Sequence, residues 1–71
     1  MGKIAQILEM LNDGQWHMLE GIQQKMMLNK RQIQQITAFL EEYEFIAVDD
    51  TRKEIKLEEA ARKFLVQNAT S

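Results

Sequence analysis

The sequence predicts a small α+β fold that is mostly α: a three-helix core, a two-stranded β-hairpin and a closing C-terminal helix. Three observations predict it. Apolar residues recur at helical spacing in three stretches before residue 45. The period then falls to two on either side of a polar turn, and a short apolar helical pattern returns near Glu58.

The first helix places Ile4, Ile7, Leu8 and Leu11 at i, i+3, i+4 and i+7, one face of an α-helix. Asn12-Asp13-Gly14 ends it, because glycine accepts the left-handed backbone that closes a helix. Gln15-Trp16-His17 is too short for a helix and reads as a bridge or short strand, with Trp16 expected to plug the core there. In the second helix Leu19, Ile22 and Met26 face inward while Glu20, Gln23 and Gln24 face outward. Its start is poorly capped, since neither His17 nor Met18 offers a side-chain acceptor of the preferred kind. Met10, Met18, Met26 and Met27 read as adaptable core filler.

Met27-Leu28-Asn29 interrupts the pattern, and Asn29 caps the clearest helix of the chain. Ile33, Ile36, Leu40 and Tyr43 form a stripe that must face a core. The opposite face carries Arg31, Gln34, Gln35, Ala38 and Glu42, with Lys30 and Thr37 on the flank. Beyond it, Ile46 and Val48 alternate with Ala47 and Asp49, and Ile55 and Leu57 with Glu54 and Lys56. Pairing Val48 with Ile55 and Ile46 with Leu57 puts all four on one side of a hairpin. That register sets Asp49 against Glu54, a mildly unfavourable pair of like charges. The last helix begins near Glu58 and is expected to bury Ala60, Ala61 and Phe64, leaving residues 67–71 as a fraying tail.

Two helices joined by a tight turn, the second polar outside and followed by a hairpin, make a helix-turn-helix with a wing. The chain resembles the winged helix-turn-helix regulators of prokaryotes over Ile4 to Val66. The resemblance rests on Asp13-Gly14-Gln15-Trp16, on Leu19, Ile22 and Met26-Met27-Leu28-Asn29, on Ile33, Ile36 and Phe39-Leu40-Glu41 running into Phe45-Ile46, and on Ala61-Arg62-Lys63-Phe64-Leu65. Gln23 stands where the family has a small residue, and Met27 and Glu44 stand where it has glycine. Met27 therefore implies a wider turn or a longer second helix.

The resemblance implies a sequence-specific double-stranded DNA-binding domain, a transcriptional regulator with its third helix in the major groove. Arg31 can donate twice to guanine, and Gln34 and Gln35 can pair twice with adenine. Ala38 permits close approach and can touch a thymine methyl. Lys30, and Arg52 and Lys53 at the wing tip, suit phosphate. The alternative is a winged-helix module for protein–protein assembly. A monomer with so few phosphate contacts binds weakly, so DNA binding also implies a homodimer or larger assembly, to which Met10 or Val66 can contribute.

Composition sets the outer bounds. Seventy-one residues with 45% hydrophobic and 28% charged side chains suit one globular domain, residues 1–71. Net charge is −2, but residues 25–40 carry +3 without an acid and residues 41–50 carry −5. There is no cysteine, and the one histidine, His17, has no ligand cluster beside it, so neither metal nor other cofactor is expected. His17 reads as a surface or structural residue. Nothing is arranged for catalysis, so the chain reads as no enzyme. No apolar run spans a bilayer and Met1-Gly2-Lys3 leads into no secretory core, which predicts a soluble cytoplasmic protein without a membrane partner.

Overall fold

The computed structural model describes residues 2–63. Its elements run α1 (Lys3–Met10), β1 (His17–Met18), α2 (Leu19–Lys25), α3 (Lys30–Glu42), β2 (Ile46–Asp49) and β3 (Glu54–Leu57), and residues 59–63 are again helical. The three strands form one antiparallel sheet in the order β1-β3-β2. This is a small α+β fold in which the bridge or short strand expected at Gln15–His17 forms at His17–Met18 and makes the two-stranded hairpin a three-stranded sheet. The short strand at His17–Met18 pairs with Ile55 and Glu54 and so joins the hairpin.

The hairpin register is the one that alternation predicts: Ile46 opposes Leu57, Val48 opposes Ile55, and Asp49 opposes Glu54. A slip of one residue would turn buried residues of one strand, such as Ile55 and Leu57, out to solvent, so burial of one face excludes it. Asp49 also organises the turn, its Oδ1 accepting from the amides of Thr51 and Arg52 at 3.0 Å each. That second role offsets its repulsion by Glu54.

The core gathers Ile7 and Leu11 from the first helix and its cap, Ile22, Leu28, Ile33, Leu40, Ile46, Ile55, Leu57 and Ala61. Leu8, Met10, Leu19, Met26, Ile36, Phe45 and Val48 pack around it. Six expectations fail. Ile4 is 37% exposed, Tyr43 61%, Trp16 43%, Met18 61% and Met27 87%, and Ala60 faces solvent. Trp16 is thus no core plug: Lys56 Nζ lies 5.1 Å from its ring centroid, a cation–π contact on the open side of the sheet. A domain of this size has too little interior for every apolar residue. The expected burial of Phe64, the outward placing of Val66 and the fraying of residues 67–71 lie outside the described residues.

The junctions on either side of α3 explain how the chain turns without glycine. After α2, Met27 N donates to Gln24 O at 3.1 Å and Leu28 N to Gln23 O at 3.0 Å. After α3, Glu44 N donates to Glu41 O and Phe45 N to Leu40 O. Both are Schellman closures, which need a left-handed residue just past the helix. Met27 (φ 57°) and Glu44 (φ 61°) supply it, although glycine does so without strain. The turn after α2 is therefore neither widened nor is the helix lengthened, contrary to the sequence expectation. Replacing Met27 by glycine is expected to stabilise the domain by about 0.5–1 kcal/mol, read as a raised thermal midpoint.

The first helix closes earlier than Asn12-Asp13-Gly14 suggests, at Met10 with Leu11 as its cap. Gly14 adopts φ 75° in the turn that follows, and the Arg62 guanidinium lies close against it. Beside it Asp13 accepts from the Gln15 amide at 2.9 Å and meets His17 Nε2 at 2.9 Å. The hydrogen bond to His17, then that from Gln15, holds the Asp13 carboxyl below its ordinary range. His17, at the start of β1, is thereby tied to the turn after the first helix.

Candidate nucleic-acid interface

The sequence Asn29-Lys30-Arg31-Gln32 makes a complete capping box. Gln32 N donates to Asn29 Oδ1 at 2.7 Å, and Asn29 N donates to Gln32 Oε1 at 2.9 Å. Two amides that would otherwise lack partners are satisfied, and the first turn of α3 is held in place. Ile33 and Leu40 anchor the helix by burial. The outward residues are thereby carried on a rigid element.

Lys30, Arg31, Gln34, Gln35 and Ala38 are all exposed, as are Arg52 and Lys53 on the hairpin turn. Among the described residues Arg31, Gln34 and Gln35 make no side-chain hydrogen bond, and the single ion pair is His17–Asp13. Their donors and acceptors face water.

The structure divides these seven residues into two sets. Lys30 and Gln34 share an open groove of about 650 Å³ with Arg52 and Lys53, walled on the far side by Glu20 and Gln23 of α2. The third strand makes this possible: Leu19 N donates to Lys53 O at 2.9 Å, tying the hairpin turn to the start of α2. Lys53 itself is left-handed (φ 55°), which closes the turn and presents its side chain beside Arg52. Arg31, Gln35 and Ala38 lie farther round α3 and do not line the groove. Glu20 and Gln23 are the groove residues that sequence reasoning passed over. They were legible as outward on the second helix, but nothing local placed them opposite the hairpin.

The charges along α3 run against its dipole. Lys30 and Arg31 occupy the N-terminal turn, where the partial charge is already positive, and Glu41 and Glu42 occupy the last turn, where it is negative. Each such placement is worth about 0.3–1 kcal/mol in the wrong direction at low ionic strength. The sequence accepts this loss of stability. In return, the start of α3 concentrates side-chain and backbone positive charge at one exposed point.

No helix among the described residues is long and apolar enough to cross a membrane. Among the same residues no three His, Cys, Asp or Glu side chains are grouped to hold a metal ion. No protein-family model matches the sequence, and no curated protein or solved structure matches it.

Proposed function

We propose that the chain is a winged helix-turn-helix module that binds double-stranded DNA, serving as a sequence-specific transcriptional regulator without enzymatic activity. α3 enters the major groove by its N-terminal end, and the β2–β3 hairpin is the wing that tracks the backbone. One observation carries this reading: Lys30 and Arg31 stand at the start of α3 against its dipole, exposed and without ion-pair partners among the described residues, and Lys30 faces Arg52 and Lys53 across a groove. Isolated stability disfavours that arrangement, and a phosphate backbone rewards it.

In this geometry Lys30, Arg52 and Lys53 meet phosphates, while Arg31, Gln34 and Gln35 read base edges and Ala38 leaves room for them. Glu41 and Glu42 lie at the other end of α3, away from the duplex. The test is a titration of fluorescent duplex DNA at several salt concentrations. Three phosphate contacts predict a slope of about −3 in log affinity against log salt. Absence of binding at low salt by the folded chain overturns the reading. A module for protein assembly is the second reading, favoured by the five acidic residues of 41–50.

A further inference from the structure

α3 carries an exposed aromatic pair, Phe39 and Tyr43, that the DNA reading leaves unused and that adjoins Gln35. At about 100° per residue, Gln32, Gln35, Phe39 and Tyr43 fall within one arc beside the outward face. Phe39 is 44% and Tyr43 61% exposed, and their rings pack on each other with centroids 4.9 Å apart. Such a pair offers a partner apolar contact area at little cost in side-chain order.

The charges on α3 say what that partner is. Lys30 and Arg31 lie at one end and Glu41 and Glu42 at the other, with Glu44 just beyond, and none has an ion-pair partner among the described residues. Arg31 and Glu42 are about three turns apart and so share one flank of the stripe. A helix charged this way complements its own reverse. Laid antiparallel against a second copy, the Arg31 of each chain meets the Glu42 of the other, and Phe39 of each covers Gln35 of the other. Each dipole end also then faces the opposite end of its neighbour.

We infer that α3 pairs antiparallel with α3 of a second copy of this chain, and that this pairing withdraws Arg31 and Gln35 from DNA. The masking clause rests on the proposed DNA reading; the pairing does not. One helix pair covers less than the roughly 1,600 Å² of a standard stable interface, so the dimer is weak and depends on concentration and salt.

Sedimentation equilibrium of the full chain tests it. The expected result is a mass that rises from monomer toward dimer with concentration. Arg31→Glu and Glu42→Arg are each expected to weaken association at least about tenfold, because two symmetry-related attractions become repulsions. The double variant R31E/E42R is expected to restore it. Phe39→Ala is expected to weaken it while the thermal midpoint stays close to that of the parent. A chain monomeric at every concentration, or a double variant no better than the singles, overturns the pairing. Duplex DNA measured in parallel separates the two claims. Phe39→Ala, which changes no charge, is expected to bind DNA more tightly than the parent, whereas DNA affinity that is the same for dimer and monomer overturns the masking alone. A chain that pairs as described but binds no DNA sinks the DNA reading and leaves the pairing standing.

Discussion

Leu40→Ala is expected to destabilise the domain by about 3 kcal/mol, lowering the thermal midpoint by roughly 12–24 °C. Leu40 is 1% exposed at the centre of the core, on the helix that faces the sheet. Removing its branched end forfeits the transfer energy of the lost carbons and leaves a cavity that α3 and β2 close only in part. A chain of 71 residues has a total stability of only about 4–10 kcal/mol, so the variant sits near its unfolding threshold at ambient temperature. Tyr43→Ala is the informative partner. It lies on the same predicted stripe, yet its ring is 61% exposed, so less than about 1 kcal/mol is expected. Equal losses for the two, measured by chemical denaturation, would put Tyr43 in the core and contradict the structure.

Removing the three side chains assigned to phosphate is expected to have the largest effect on binding. In the variant carrying Lys30→Ala, Arg52→Ala and Lys53→Ala, the slope of log affinity against log salt is expected to fall from about −3 toward zero. All three residues are exposed and none supports the core, so the thermal midpoint is expected to hold. Arg31→Ala behaves differently. If it reads a guanine edge, it loses discrimination between sequences by about 1–3 kcal/mol while the salt slope barely changes. The two variants thus separate attachment to the backbone from reading of bases. A triple variant with an unchanged slope would remove the hairpin turn from the interface.

Much of this site was legible in the residues, for identifiable reasons. The capping of α3 follows from Asn29 placed three residues before Gln32, a local pattern with a local consequence. The hairpin register follows from strict alternation over Ile46–Val48 and Ile55–Leu57, which excludes a slip of one residue, and from the turn that Asp49 closes between the strands. The outward face of α3 follows from helical period alone. Other features depend on tertiary packing that no local pattern encodes. β1 was legible as a bridge or short strand near His17, but with two residues it shows no period from which its register with β3 could be read. Trp16, Met18, Met27 and Tyr43 are apolar or amphipathic, and such residues cover much of any folded surface. The left-handed backbone at Met27, Glu44 and Lys53 is imposed by the two helix closures and the hairpin turn. Glycine would have announced it. The groove between α2 and the hairpin turn joins residues about thirty positions apart in the chain, brought together where Leu19 N donates to Lys53 O.

We propose the start of α3, together with the hairpin turn, as the surface by which this protein meets DNA. Amide chemical-shift mapping of the folded chain during titration with a short duplex at low salt tests it most directly. The largest perturbations are predicted at Lys30, Arg31, Gln34, Gln35 and Ala38 and at Arg52 and Lys53, fading as salt is raised. Perturbations confined to other surfaces, or none in a chain whose spectrum shows it to be folded, would contradict the account.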